Sequence, residues 1–262
     1  LKGFLFFDID GVIRDVSASY RLAIQETVEY FIRWRPSIKY IDNLKAEGTW
    51  NNDWDTSLEL IRRHLKKRES LFTCPKKSEL IHVFNQFYFG GSPEGDPKTW
   101  EGFIKNEKLL VKKEFFEELS QNNYAWGFVS GAEQPSAKFV LEKRLMLQKP
   151  SLIAMGDAPD KPNPSGLLLL ANKLIGKPLG EGIPPIALIG DTIADILTIK
   201  NAQKKFPEQK FFSIAVAPPH LHKEINNLER KEYEDKLIEA GADHIISSTE
   251  ETLSAINTLI GK

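Results

Sequence analysis

The feature that most constrains this chain is a series of short, continuous apolar runs, most of them stopping at a polar or glycine-containing turn. Phe4-Leu5-Phe6-Phe7 is the first. Ala125 to Val129, Leu152 to Met155, Ile186 to Ile189, Phe212 to Val216 and His244 to Ile246 follow. Hydrophobicity that is continuous rather than alternating implies strands covered on both faces, as in a parallel sheet. Helical spacing fills the intervals. Phe115, Phe116 and Leu119 share one face, Ala137, Val140, Leu141 and Leu145 another, and Leu167, Leu170, Ala171 and Leu174 a third. Strands alternating with helices predict an α/β fold: a doubly wound, mainly parallel, Rossmann-like sheet.

One stretch breaks the alternation. Residues 16–107 hold no convincing strand, but several amphipathic helical faces: Ile24, Val28, Phe31 and Ile32; Ile38, Ile41 and Leu44; Leu58, Ile61 and Leu65; Leu80, Ile81, Phe84 and Phe87. The expected organisation is an α/β core from residues 1–15 and 108–262, interrupted after its first strand by an all-helical domain of residues 16–107. The 262 residues, 41% hydrophobic and 27% charged, suffice for a core in each part and exclude a disordered chain. Lys and Arg number 35 and Asp and Glu 36, a net charge of -1. That balance excludes a surface built as a whole to attract nucleic acid or a membrane. Cys74 is the single cysteine, so no internal disulfide forms. No apolar run approaches the ~20 residues of a membrane helix. The expectation is therefore a monomer or homodimer that binds neither nucleic acid nor membrane. Its place is the cytoplasm, or an organelle interior if a leader preceded Leu1.

In a parallel α/β sheet, ligands bind beyond the carboxyl ends of the strands, so the residues after each run are the candidates for chemistry. Asp8-Ile9-Asp10-Gly11 follows the first run, and its two carboxylates, two residues apart, can project to one side. Alone, this also reads as a polar strand end feeding a turn. Ser130-Gly131-Ala132 follows the second run, a hydroxyl with backbone N–H groups that could cradle an anion or simply form a turn. Lys161 lies in a proline-rich loop, Ala158-Pro159-Asp160-Lys161-Pro162-Asn163-Pro164. Gly190-Asp191-Thr192-Ile193-Ala194-Asp195 follows Ile186 to Ile189, and Asp191 and Asp195 share a face if a helix begins there. Capping and the helix dipole account for one of those two acids structurally.

The conjunction says more than its parts: Asp-x-Asp, Ser, Lys and Asp-x-x-x-Asp, each in register with the strand order. This set resembles the four motifs of the haloacid dehalogenase superfamily, from Phe4 to Ile13 and from about Leu110 onward. A helical insert directly after the first motif resembles the cap of the phosphoglycolate-phosphatase-like branch. The resemblance implies that Asp8 is a nucleophile forming an aspartyl phosphate and that Asp10 is the general acid and base. It implies that Ser130 and neighbouring N–H groups, Gly131 included, hold the phosphate, and that Lys161 offsets negative charge. It further implies Mg²⁺ held by Asp8, by the Asp10 carbonyl and by Asp191, with Asp195 orienting the metal waters or the lysine. An acid at Asp10 favours a phosphatase over a dehalogenase; a phosphomutase or a non-catalytic phospho-acceptor remain the alternatives. The expected substrate is a small, soluble phosphate ester.

Electrostatics point the same way. Four aspartates converging on one cleft repel each other and would repel a phosphate, so a divalent cation and a fixed lysine are what such a cleft requires. All-oxygen donors suit Mg²⁺ better than Zn²⁺.

Two further groups are candidates for substrate contact. Arg14, close to the nucleophile, can meet a substrate anion or form a hinge salt bridge. Trp50 and Asn52, in Trp50-Asn51-Asn52-Asp53-Trp54-Asp55, can line a pocket, although Asp53 or Asp55 also fits the start of a helix. His220-Leu221-His222 has no third ligand nearby and reads as structural.

Overall fold

The computed structural model describes residues 1–261 other than 46, 48, 49, 51 and 69–71. The chain divides into two compact units, Leu1–Asp15 with Lys108–Lys262, and Val16–Glu107.

The first unit begins with β1, Gly3–Phe7, every residue of which is buried. A sharp turn leads to β2, Arg14–Asp15, the last element before the second unit. The second unit contains α1, Tyr20–Ile32; α2, Ile38–Lys45; α3, Asp53–Arg68; and α4, Lys77–Tyr88. The chain returns to the first unit through β3, Lys108–Leu109, which pairs antiparallel with β2 so that Asp15 faces Lys108. There follow α5, Lys113–Gln121; β4, Tyr124–Val129; α6, Gln134–Lys138; β5, Leu152–Ile153; and α7, Ser165–Ile175. The rest is β6, Ile186–Gly190; α8, Ile193–Lys205; β7, Phe211–Val216; α9, Asn227–Glu239; β8, His244–Ile246; and α10, Thr252–Ile260.

Six of these strands form one parallel sheet in the order β5-β4-β1-β6-β7-β8. The expected doubly wound α/β sheet is the observed one. Its two faces follow from the strand period of two. Leu5 and Phe7 face a core completed by Phe116 and Leu119 of α5 and Ile256 of α10. Phe4 and Phe6 face the opposite way, toward Leu167 and Leu170 of α7 and Ile199 of α8. Both faces of β1 are thereby removed from water, which is why its sequence shows no alternation.

Two local expectations change. The run Leu152 to Met155 is a strand over only its first two residues, because the Met155 N–H turns to the Ala132 carbonyl at 3.0 Å. The face Ala137 to Leu145 is α6 followed by a wider π-helical turn, Phe139–Arg144, closed by the Leu145 N–H on the Val140 carbonyl at 2.9 Å. In the second unit, α3 turns Leu60 and Ile61 inward, while Leu58 and Leu65 are only half-buried. Among the described residues, no helix is long and apolar enough to cross a membrane.

Candidate active site

The chain moves away from β1 on one side, through β4 to β5, and then returns to the other side for β6 to β8. The carboxyl ends of β1, β4 and β6 therefore meet at the switch point of the sheet, where ligands bind in folds of this type. Asp8, Ser130 and Asp191 stand immediately after those three strands.

Asp8 prolongs β1 by one ladder bond, its N–H donating to the Ile189 carbonyl at 2.9 Å. The chain then folds back tightly. The N–H groups of Ile13 and Arg14 both donate to the Ile9 carbonyl, at 2.8 and 3.1 Å, and Gly11 N–H donates to the Arg14 carbonyl at 2.9 Å. Gly11 adopts φ +77°, and a Cβ there would sit 2.1 Å from Asp191 Oδ2. Only glycine allows both that turn and the close approach of Asp191.

Lys161 binds these pieces together. Its Nζ lies 2.8 Å from Asp8 Oδ2 and 2.5 Å from Asp195 Oδ1, and it donates a longer bond to the Val129 carbonyl at the end of β4, at 3.4 Å. Asp195 reaches the lysine because a capping box fixes it at the start of α8. Its Oδ2 accepts from the Thr192 N–H at 3.1 Å and from Thr192 Oγ1 at 2.6 Å. A Cβ on Gly190 would lie 2.3 Å from the Asp195 side chain, so glycine is needed there as well.

Asp8, Asp191 and Asp195 each bring a carboxylate oxygen within 4.8 Å of the others. Their charge balance is uneven. Asp8 Oδ1 accepts from the Ile9 N–H at 2.7 Å and its Oδ2 meets Lys161. Both oxygens of Asp195 are likewise engaged. Asp191, only 9% exposed, forms no side-chain hydrogen bond or ion pair with any described residue. Only its backbone carbonyl is held, by Tyr233 Oη at 2.8 Å. A buried carboxylate without a partner is costly. Burial, then the charges of Asp195 and Asp8, push the Asp191 carboxyl well above its ordinary range. Burial likewise lifts Asp8 to about 6, against the opposing pull of Lys161. For Lys161, burial disfavours the charge, but Asp195 and Asp8 outweigh it and hold the pKa above the ordinary value. The lysine stays charged and the carboxylates are under-compensated. A largely buried carboxylate that no described side chain pairs with, beside two other carboxylates, fits a hard divalent cation.

The other candidates are placed as follows. Ser130 is buried, its N–H on the Ile153 carbonyl at 2.9 Å and its Oγ 3.2 Å from the Ala132 N–H. Gly131 beside it is exposed, and a side chain there would meet nothing within 4 Å. Asp10 stands two residues beyond Asp8 with 28% of its side chain exposed. Arg14 is a correction. It is 0% exposed, so it is not available to a substrate anion, and its Nε bonds Asp10 Oδ1 at 2.6 Å. Asn52 is a second one. Its Oδ1 accepts from the N–H groups of Trp54 and Asp55, at 2.9 and 3.2 Å, so this amide begins α3. Asp53 and Asp55, expected as the cap, instead pair with Lys45 and, at 2.6 Å, with Lys77. Trp50 donates its indole N–H to Glu47 at 3.2 Å, and Asn51 lies outside the described residues. His222 shares a 2.7 Å hydrogen bond with the Ala217 carbonyl.

Sequence reasoning missed Thr192, Tyr233 and Ser136. Thr192-x-x-Asp195 is a capping-box spacing and was readable as such. Nothing in the sequence links Tyr233 to Asp191 or Ser136 to Arg14.

Comparison with known proteins gives a consistent answer. Over 202 residues the chain is 31% identical to a protein of Phytophthora nicotianae named imidazoleglycerol-phosphate dehydratase, a match covering 76% of this chain and 41% of that protein. The chain thus spans less than half of that relative's length. Phosphatase Tt82 from Thermococcus thioreducens superposes with a TM-score of 0.63 at 24% identity, covering 90% of this chain and 99% of that one. A phosphonoacetaldehyde hydrolase like protein from Oleispira antarctica superposes at 0.70 with 15% identity, covering 99% and 92%. At these identities the two structures establish a shared fold. The model of haloacid dehalogenase-like hydrolases matches residues 4–203, a span that runs from β1 through Asp8, Ser130 and Lys161 to Asp195, and the chain belongs to that family.

Proposed function

We propose that this protein is a Mg²⁺-dependent phosphatase that hydrolyses small, soluble phosphate monoesters through a phosphoryl group carried on Asp8. The observation that carries this reading is the orphaned Asp191 carboxylate set beside Asp8, with Lys161 shared between Asp8 and Asp195. Bound Mg²⁺, held by Asp8, Asp191 and the Asp10 carbonyl, would supply positive charge against the transferring phosphoryl oxygens.

The residues then have these tasks. Ser130 and the N–H groups around Gly131 hold the phosphate. Lys161 keeps its charge against both Asp8 and the phosphoryl group. A carboxylate oxygen of Asp8 forms a bond to phosphorus while the bond from phosphorus to the leaving oxygen breaks, and Asp10 gives its proton to that oxygen. Water next attacks phosphorus, Asp10 takes the proton it loses, and Asp8 is released with inorganic phosphate. Asp195 touches neither water nor phosphate in this scheme; it holds the lysine.

The P. nicotianae relative is named for a reaction on a phosphate monoester that carries an imidazole, and more than half of its length lies beyond the match. That is room for a second domain. Dehydration leaves the phosphate in place, so a phosphatase joined to such an enzyme would remove it at a later step. We therefore propose imidazole-bearing alkyl phosphates as the substrate class.

The test is phosphate release from 4-nitrophenyl phosphate, glycerol phosphate, glucose phosphates and imidazoleglycerol phosphate, with Mg²⁺ and with chelator. We expect activity only with Mg²⁺, a loss of at least ~10³-fold in Asp8→Asn, and the highest kcat/KM on the imidazole ester. Full activity in chelator or in Asp8→Asn overturns the mechanism. Isomerised sugar phosphate without phosphate release makes the protein a mutase. An imidazole ester no better than glycerol phosphate removes the substrate class and leaves the phosphatase.

A further inference from the structure

We infer that Arg14 is a positioning residue for the acid step: it holds Asp10 Oδ1 and so confines the transferable proton of Asp10 to Oδ2, the oxygen left for the substrate. The inference rests on Asp10 serving as general acid, as proposed above.

The geometry is specific. Arg14 Nε meets Asp10 Oδ1 at 2.6 Å, and its Nη2 donates to Ser136 Oγ, 122 positions along the chain, at 2.9 Å. The guanidinium is thus gripped from α6 while it grips Asp10. Arg14 is fully buried, whereas Asp10 keeps 28% of its side chain exposed, so the carboxylate stands at the border between the guanidinium and the solvent-accessible site. Chain and side chain agree: the turn that places Gly11 N–H on the Arg14 carbonyl brings residue 14 back beside residue 10.

Chemistry gives that contact a direction. A guanidinium has donors only and does not give up its charge. An oxygen receiving its N–H at 2.6 Å has a donor facing it, so a proton on Asp10 sits on the other oxygen. When the bond from phosphorus to the leaving oxygen breaks, that Oδ2 proton moves to the leaving oxygen and Asp10 remains as a carboxylate, its charge met by Arg14.

A stability role alone accounts poorly for the same residue. Burying a guanidinium is costly, and replacing a whole buried ion pair by apolar side chains is often neutral or better.

The experiment uses the leaving group as the reporter. Nitrophenolate departs without a proton, whereas an alkoxide needs one. The constant kcat/KM covers only the steps through transfer to Asp8, so the later hydrolysis does not enter it. In Arg14→Met we expect kcat/KM to fall about 10²-fold for glycerol phosphate and less than about 5-fold for 4-nitrophenyl phosphate, within the ~10²–10⁴-fold range of general acid catalysis. Inhibition by inorganic phosphate should stay within about 3-fold of the parent, which separates loss of the acid from loss of the phosphate site. Arg14→Lys should recover part of the alkyl activity, because an ammonium can still donate to Oδ1 but cannot span to Ser136 with a planar fork. If Arg14→Met does not fold, Ser136→Ala decides the matter, with a selective loss of about 3-fold or more on glycerol phosphate.

Asp10→Asn is the reference. If it widens the gap between the two substrates while the folded Arg14 variants lower both equally, the inference about Arg14 is overturned and the acid role of Asp10 stands. If Asp10→Asn leaves the gap unchanged, the acid assignment falls, and the inference with it.

Discussion

At the scale of single residues, the site is a problem of charge. Three aspartates face one another over a single lysine, and Asp191 lacks a partner among the described residues. This has a thermal consequence. The carboxyl of Asp8 rises from an ordinary 3.8 to about 6 because burial disfavours its charge, so between those values the folded protein keeps a proton that the unfolded chain has lost. The unfolded state binds fewer protons there, and the contribution of this group to stability falls as pH rises through about 6. Asp191 shifts in the same direction. Divalent cations bind the deprotonated carboxylates, so the rise in Tm caused by Mg²⁺ should be larger at about pH 7.5 than at about pH 5. An equal rise at both pH values would mean that the cation binds elsewhere. Asp8, Lys161, Asp191 and Asp195, which the structure brings together, were legible in the sequence as candidates, because each follows a strand or lies in a stiff loop. The partner of Arg14 was not. Four residues of separation bring two side chains together in a helix, and here a turn does the same.

At the scale of elements, short pieces escape pattern reading and long ones do not. β1, β4, β6, β7 and β8 were visible as largely apolar runs, most fully in β1 and β6, where every residue is buried. β2 and β3 have two residues each, too few to express a period. The start of α3 illustrates another limit. Asn52, Asp53 and Asp55 are all good capping residues, and only their partners decide among them. Because the Asn52 amide serves two N–H groups, Asn52→Ala should lower stability by about 1 kcal/mol. The measurement is a shift of the urea midpoint at constant slope, with KM unchanged. A raised KM at unchanged stability would instead return Asn52 to the substrate.

At the scale of the molecule, the helical unit is an insertion into a loop of the α/β unit, and the ribbon of β2 and β3 marks the point of entry. Asp15 and Lys108 face each other in that ribbon, close enough for a two-residue Asn-Gly turn to join them. Each unit has its own internal contacts, so a chain lacking residues 16–107 and closed by such a turn should fold. Cooperative thermal unfolding with helix and sheet signals in circular dichroism is the expected result; a soluble chain without a transition would make the units interdependent. The position of β1 has a different consequence, in time rather than space. This strand precedes its neighbours in the sheet, β4 and β6, by more than a hundred residues. Contacts so distant along the chain form slowly. During synthesis the helical unit is complete by residue 107, while Phe4 to Phe7 still have no strand to pair with on either side. This buried apolar segment therefore stays unpaired until Tyr124 to Val129 emerge, and keeps one open edge that a nascent chain would need to have shielded until Ile186 to Ile189 emerge.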